Sequence, residues 1–288
     1  MARSRWKQTE ILIREAYEIL AYEHPMTLRQ LFYRLVSKLV IQNDHPSYQR
    51  LSRVMTDARN SGEILFEWIV DRSKPEYIPN VWDDPEDYIK TVARAYKKDR
   101  WQDQPYHVEV WLEKDSIIGS VEDICRIHGV TLRAHKGFGS TTKKHEIAEF
   151  FASLGKPVVI LYVGDHDPSG QDIERDLGVK LKQYGAYDFE IERLAILKED
   201  IALFNLPPLK IKNSDPRAKK FKSTYGSDVV EADALPPREL RYRIDSAIRE
   251  LIDMDTWERA ERVEAVELEA IRDIAGRFKS LIDSESLK

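Results

Sequence analysis

Two aspartates that follow an apolar run could bind a metal ion. Residues 157–170 read PVVILYVGDHDPSG, in which the apolar run from Val158 to Val163 precedes Asp165 and Asp167. Such a run predicts a strand buried on both faces, and ligands gather at the carboxyl ends of strands in open parallel sheets. Aspartates two residues apart in an extended chain point the same way. Because neighbouring carboxylates repel each other, the pair indicates a site for a hard cation such as Mg²⁺.

A third carboxylate, Glu113, follows a second predicted strand, HVEVWL at residues 107–112. An acid at the equivalent end of this strand is what a metal site on the same sheet needs. A structural alternative stays open, because two aspartates at a strand end often form only a turn and a helix cap. Pro168 and Gly170 would supply that turn into the next helix.

A tyrosine and an arginine on a predicted N-terminal helix form a second reactive group. The segment TLRQLFYRLVSK, residues 27–38, places Tyr33 away from the apolar stripe of the helix and Arg29 one turn earlier on the same side. The pattern predicts an exposed tyrosine beside a guanidinium, which would favour the phenolate and hold a phosphate. Attack on a phosphodiester would give a covalent phosphotyrosine. The alternative is a surface tyrosine that packs on an arginine. The stripe consists of Leu28, Leu31, Phe32 and Leu35.

The elements around this helix predict a winged helix-turn-helix. A first helix over residues 8–22 ends at His24-Pro25, Thr27 caps the second helix, and Ser47 caps a third that closes at Gly62. A β-rich run, ILFEWIVD at 64–71, follows directly, and three helices before strands are typical of this motif. A generic helical domain is the alternative. The third helix is basic and supplies the predicted DNA contacts Arg50, Arg53 and Arg59.

From residue 106 onward, strands alternate with helices, which predicts an α/β fold with a parallel, Rossmann-like sheet. The predicted strands are 107–112, 130–137, 157–165 and 189–196. Residues 73–105 read as a linker with one short helix, residues 207–222 as a polar loop, and the chain from Pro236 onward as helices. The predicted order is a winged-helix domain at 1–75, a linker at 76–104, an α/β domain at 105–235 and C-terminal helices at 236–288.

Composition and charge narrow the functional classes. The 288 residues are 42% hydrophobic and 33% charged, which suits one large or two modest domains. The single cysteine excludes an internal disulfide and a Cys-cluster metal site. The net charge is −5, yet residues 1–60 hold ten basic and six acidic residues, so a basic front precedes an acidic remainder. No apolar stretch reaches eighteen residues, which predicts a soluble, cytoplasmic protein without a membrane partner.

The strand-end glutamate and the later D-x-D pair resemble the Toprim domain of topoisomerases, primases and some nucleases. The resemblance covers residues 105–235 and implies that Glu113, Asp165 and Asp167 bind Mg²⁺.

Together with RQLFYR, the pattern is similar to the A subunit of DNA topoisomerase VI and the related meiotic double-strand-break protein. The nucleophile of that family is the second aromatic of an R-x-x-[Tyr/Phe]-Tyr motif, which corresponds to Arg29, Phe32 and Tyr33. KGFGSTTKKH at 136–145 matches a further family segment, although Gly139 replaces its usual proline, and EADALPPREL at 231–240 matches an acidic one. The resemblance implies a homodimer in which one protomer's tyrosine reaches the other's metal. It also implies a separate ATPase subunit, since GxxxxGK[ST] is absent.

The leading hypothesis is therefore a Mg²⁺-dependent DNA strand-cleaving enzyme of the type II topoisomerase kind. Tyr33 would form a covalent 5′-phosphotyrosyl link, Arg29 would hold the phosphate, and Lys136 would contact the DNA backbone. A hydrolytic Toprim nuclease, in which water replaces the tyrosine, is one alternative. A non-catalytic dimeric DNA-binding protein is the other.

Overall fold

The computed structural model of the chain describes residues 2–70, 79–134, 141–211 and 216–286. These fall into two compact units. The first comprises residues 1–73 and 106–250, and the second comprises residues 74–105 and 251–288. This division groups residues by how compactly they pack and does not test the domain boundaries expected from the sequence, which stay a prediction.

The first unit begins with three helices: α1 (Ala2–Glu23), α2 (Leu28–Ser37) and α3 (His45–Asn60). The prediction that α1 ends before His24-Pro25 is confirmed. Thr27 caps α2 as predicted, because its Oγ1 accepts the Gln30 N–H at 3.2 Å. The predicted cap of α3 is wrong: Asp44 accepts the backbone N–H of Ser47 at 2.7 Å, so the helix begins two residues before Ser47.

The strand predicted at 64–71 is also wrong over its described part. Phe66–Trp68 forms a 3-10 turn, and Ile69 makes a single β-bridge with Met26. The burial explains the difference, because Ile64 and Ile69 are buried while Leu65 and Phe66 are exposed. This spacing lacks the alternation of a half-buried strand. Residue 71 lies outside the described residues.

A four-stranded parallel sheet forms the core of the first unit and confirms the α/β prediction. Its strands are ordered β2-β1-β3-β4. All residues of β3 are buried, as the uninterrupted apolar run predicts for a central strand. The strands are β1 (His107–Leu112), β2 (Thr131–Ala134), β3 (Val158–Val163) and β4 (Phe189–Ala195).

Helices connect these strands in the predicted order and enclose the sheet. A 3-10 turn, Asp115–Ile117, leads into α5, while α6 and α7 cover one sheet face around the buried Trp111 and Tyr162. The helices α5 and α10 pack against the edge strands β2 and β4, respectively. The helices are α5 (Ile118–His128), α6 (Thr141–Ser153), α7 (Pro168–Gln183), α8 (Lys198–Leu203), α9 (Ala218–Tyr225) and α10 (Pro237–Glu250).

The predicted polar loop at 207–222 is in part regular structure. Strands β5 (Leu209–Lys210) and β6 (Asp228–Val229) pair in antiparallel fashion, and α9 lies between them. A 3-10 turn, Ala232–Ala234, follows β6, and the predicted C-terminal helices are confirmed.

The second unit contains α4 (Pro85–Ala95) and the long α11 (Met254–Ser286), which pack together. The short helix predicted in 73–105 is α4. Trp101 packs edge-on against Trp257 with ring centroids 5.8 Å apart, and the guanidinium of Arg100 lies over the Trp257 ring. Within the described ranges, none of the helices has both the length and the apolar character to cross a membrane.

Candidate functional site

Glu113 and Asp165 meet at the carboxyl edge of the sheet. The register pairs Leu112 with Val163, so the residues that follow β1 and β3 lie side by side. The backbone N–H of Asp165 donates to Oε2 of Glu113 at 2.8 Å. Both carboxylates are buried, with 8% and 6% of the residue exposed, respectively. The predicted convergence of these two acids is therefore present in the structure.

Two glycines make room for the Glu113 carboxylate. A Cβ atom on Gly164 would lie 2.8 Å from Oε2 of Glu113, and one on Gly170 would lie 3.0 Å from the same oxygen. Real Cβ atoms essentially never approach as closely as the first, so any side chain at Gly164 would displace a neighbour. Glycine at position 164 is thus required for the close approach of the Tyr162 ring, which would lie 2.5 Å from such a Cβ, as well as of the Glu113 carboxylate.

Asp167 caps the helix that follows. Its Oδ1 accepts the backbone N–H of Gly170 at 2.6 Å, so the capping interpretation of this residue is correct. Asp167 also lines a cavity of about 400 Å³, together with Asp165 and Glu231. The cap therefore does not separate Asp167 from the other acids. Among the described residues, no three His, Cys, Asp or Glu side chains are arranged as a ready group of metal ligands.

Two further acids join this cluster from a distant segment. Glu231 and Asp233 lie at the 3-10 turn after β6, and Asp233 is completely buried. The sequence places them in the acidic segment at 231–240, but spacing alone assigned them no role. The backbone N–H of Ala232 donates to Oδ1 of Asp165 at 2.8 Å, which fixes the turn against the predicted site.

Lys114 is the central cation of the cluster. Its Nζ lies 2.8 Å from Oδ2 of Asp165, 2.9 Å from Oε2 of Glu231 and 3.7 Å from Oδ2 of Asp233. The lysine follows Glu113 directly, so the end of β1 supplies both an acid and its counter-ion. Burial lowers the pKa of Lys114, but the surrounding acids, Asp165 first, outweigh burial and leave it raised. The ammonium is therefore charged at neutral pH.

Arg29 connects the N-terminal helices to the same acids. Its guanidinium pairs with the Glu231 carboxylate, its Nε lies 3.7 Å from Oδ2 of Asp233, and its Nη2 lies 3.5 Å from the Tyr33 hydroxyl. Polar contacts thus run continuously from Tyr33 to Asp165 within one chain. The composite site of the homodimer stays a prediction.

The prediction that Tyr33 is exposed is wrong. Its side chain belongs to the buried residues of α2, at 5% exposure, because α2 packs against the 3-10 turn that carries Asp233. Burial, followed by the charge of Glu231, raises the pKa of the Tyr33 hydroxyl to about 12, and the opposing effect of Arg29 is smaller. The phenol is therefore protonated at neutral pH, contrary to the expectation that Arg29 favours the phenolate.

The carboxylates of the cluster are incompletely neutralised. Burial, followed by the charge of Asp165, raises the pKa of Glu113 to about 7, and burial also raises the pKa of Asp165 and of Asp233. When all are ionised, five carboxylates face two cations, which leaves a formal charge of −3. The acids are Glu113, Asp165, Asp167, Glu231 and Asp233, and the cations are Lys114 and Arg29.

This donor set fits a hard divalent cation. Oxygen ligands are what Mg²⁺ prefers, and it keeps part of its shell for water or phosphate oxygens. Three structural observations agree with such a cation: the residual negative charge, the glycines around Glu113, and the cavity beside Asp165 and Asp167.

The predicted DNA contacts on α3 have different surroundings. Arg53 is exposed and Arg50 is half-buried. Arg59 stacks on Phe66 at 4.6 Å, and its Nη2 donates to the Phe66 carbonyl at 3.2 Å, so it holds the following turn in place. Lys136 lies outside the described residues.

No protein-family model matches this chain. A search of curated proteins gives no match either.

Proposed function

We propose that this protein cleaves DNA phosphodiesters with the help of Mg²⁺ bound at the carboxylate cluster. The observation that carries the proposal is the position of two buried acids, Glu113 and Asp165, after the ends of adjacent parallel strands. The backbone N–H of Asp165 donates to the Glu113 carboxylate, and Asp165 lines a cavity. The proposal includes the finer fold assignments, a winged-helix module at 1–75 and a Toprim domain at 105–235. It also includes DNA as substrate, a homodimer and a separate ATPase subunit.

In this proposal Glu113, Asp165 and Asp167 hold the metal, which would supply charge stabilisation for the phosphate oxygens. Arg29 has 43% of its side chain exposed, so its guanidinium can exchange Glu231 for a phosphate with the same planar geometry. Lys114 remains with the acids and offsets their repulsion.

Tyr33 is the proposed nucleophile. Its oxygen forms a bond to phosphorus while the bond to one ester oxygen breaks, and that oxygen leaves as a free hydroxyl after taking up a proton. Glu231 bonds the same guanidinium as the Tyr33 hydroxyl and is the candidate acceptor of the phenol proton. The bond energy is kept in the phosphotyrosyl ester, so the strand can be rejoined.

A specific observation favours hydrolysis as the second candidate. Tyr33 is buried and its pKa is raised to about 12, which makes it a poor nucleophile in the arrangement described. Water in the cavity beside Asp165 and Asp167 would then attack the phosphate, and Tyr33 would only position Arg29.

Incubation of supercoiled plasmid with Mg²⁺ tests both candidates. We expect nicked or linear DNA from the wild type, none from Asp165→Asn, and normal cleavage by Asp176→Asn, whose carboxylate pairs with Lys144 outside the cluster. A protein–DNA adduct that disappears in Tyr33→Phe supports the tyrosine. Undiminished cleavage by Tyr33→Phe supports hydrolysis, and plasmid binding without cleavage in any divalent metal refutes both.

A further inference from the structure

A groove between α7 and α9 has a volume of about 540 Å³ and adjoins the carboxylate cavity, with which it shares Pro168. Residues from Pro168 to Lys182 form one wall, residues from Arg217 to Tyr225 form the other, and Ile191 of β4 contributes from the sheet. The sequence predicted this region in part as a polar loop, so the second wall is visible only in the fold.

The interior of the groove is apolar and aromatic. Phe221 and Tyr225 lie with ring centroids 5.1 Å apart at 37°, and Val179 and Ile191 line the same space. Tyr225 is half-buried and Val179 is 51% exposed, so part of this apolar surface is open to a ligand. Such a surface suits a planar, hydrophobic group such as a nucleobase.

The rim of the groove carries excess positive charge. Four cations line it, Arg175, Lys182, Arg217 and Lys220, against two acids, Asp172 and Glu174. Asp172 bonds Arg175 at 2.8 Å and lies 3.6 Å from Arg217, and Glu174 bonds Arg193 at 2.6 Å, so the excess charge on the rim comes from Lys182 and Lys220. Apolar rings beneath a cationic rim are complementary to a base with its phosphate.

The groove begins next to the carboxylate cluster. Pro168 follows Asp167 directly, and Nη2 of Arg217 donates to Ser169 Oγ at 2.9 Å at this end. The shorter wall, from Arg217 to Tyr225, covers about 12 Å at 1.5 Å per residue. That length matches about three to four nucleotides at the 3.4 Å rise of a stacked strand.

We propose that this groove binds a segment of single-stranded DNA of about three to four nucleotides, with bases against Tyr225 and phosphates at the cationic rim. The choice of a DNA strand rests on the proposed function, because the groove starts where that function places a scissile phosphate. An acidic peptide would satisfy the rim, but it would use neither the flat aromatic surface nor the proximity of Asp167.

Fluorescence anisotropy with labelled dT12 in EDTA tests the proposal without any cleavage. We expect Lys220→Glu to weaken binding roughly tenfold and Lys220→Gln to lower the salt slope by about 0.7, the value for one phosphate contact on a single strand. Lys219→Glu is the matched control, since Lys219 is an exposed lysine of the same helix that does not line the groove. Tyr225→Leu should weaken binding roughly tenfold by loss of stacking, whereas Tyr242→Leu on α10 should not.

Equal affinities of Lys220→Glu and Lys219→Glu for dT12 would overturn the proposal. Displacement of labelled dT12 from the wild type by free dTMP as effectively as by unlabelled dT12 would also overturn it, because it would indicate a mononucleotide pocket. So would equally effective displacement by poly-glutamate, which would indicate an acidic partner. The binding assay needs no metal, so loss of the groove proposal would not decide the proposed function, which the plasmid assay tests. Likewise, absence of plasmid cleavage would not decide whether the groove binds dT12.

Discussion

Replacement of Lys114 by methionine should destabilise the first unit more than the same replacement of a lysine outside the carboxylate cluster. The ammonium lies within 2.9 Å of both Asp165 and Glu231 and within 3.7 Å of Asp233. Methionine keeps a similar side-chain length but removes the charge. Glu231 and Asp233 would then keep Arg29 as their cation, whereas the buried Asp165 would lose the one cation that its carboxylate pairs with among the described contacts.

The expected size follows from burial. Breaking a buried ion pair from one side costs about 3–5 kcal/mol. The Lys114 side chain is 24% exposed, so solvent screening reduces this, and we expect about 2–4 kcal/mol. For a unit of this size the loss corresponds to a fall of roughly 5–15 °C in Tm. Mg²⁺ should recover more stability in the variant than in the wild type, by about 1.4 kcal/mol if its affinity rises tenfold.

Thermal unfolding followed by circular dichroism, with and without Mg²⁺, measures both effects. Lys144→Met is the matched control, because among the described contacts Lys144 pairs with one acid, Asp176 at 3.0 Å, and that acid's side chain is 40% exposed to solvent. It should cost at most about 1 kcal/mol and show no greater response to Mg²⁺ than the wild type. If Lys114→Met and Lys144→Met unfold at the same temperature and respond equally to Mg²⁺, the ammonium does not hold the acids together.

Two other results are expected. Gly164→Ala places a Cβ 2.5 Å from the Tyr162 ring and 2.8 Å from Oε2 of Glu113, so it should lower the free energy of unfolding by about 1–3 kcal/mol. Gly178→Ala, whose nearest contact is at 3.7 Å, should not lower it, and equal denaturant midpoints of the two variants would contradict this. The raised pKa of Tyr33, about 12 against 10 in the unfolded chain, gives stability that is fully present below pH 10 and is lost as pH rises to 12. The free energy of unfolding should therefore fall by up to about 2 kcal/mol less in Tyr33→Phe than in the wild type as the pH rises from 10 to 12. Identical pH profiles of the two proteins would contradict the burial of this hydroxyl.

The sheet was predictable because its strands carry their signal locally. The run Val158 to Val163 is apolar throughout, and the structure places it as the fully buried central strand. The meeting of Glu113 with Asp165 followed from the rule that parallel strands present their carboxyl ends at one edge. The cap by Thr27 was predictable for the same reason, since donor and acceptor lie three residues apart.

Burial by distant segments was not predictable from the helical pattern. A helical wheel places Tyr33 off the apolar stripe, but it does not include the turn at 232–234 that covers this face. Arg29 and Glu231 are 202 residues apart, so their ion pair depends on tertiary structure alone. The role of Lys114 was hidden for a similar reason, because its acids come from the loop after β3 and from the segment after β6.

The strand predicted at 64–71 shows a different limit. β-branched and aromatic residues favour a strand, but propensity is weaker than the packing available to each side chain. Here Ile64 and Ile69 are the buried residues, and the chain between them turns so that both reach the core.

Metal binding itself is the central claim, and Mn²⁺ titration followed by electron paramagnetic resonance tests it most directly. Mn²⁺ replaces Mg²⁺ at oxygen sites and gives a signal that falls on binding. We predict saturable binding to the wild type, unchanged binding to Asp176→Asn, and at least a tenfold loss of affinity in Asp165→Asn. Equal Mn²⁺ binding by the wild type and Asp165→Asn, or none by the folded wild type, would contradict the carboxylate site.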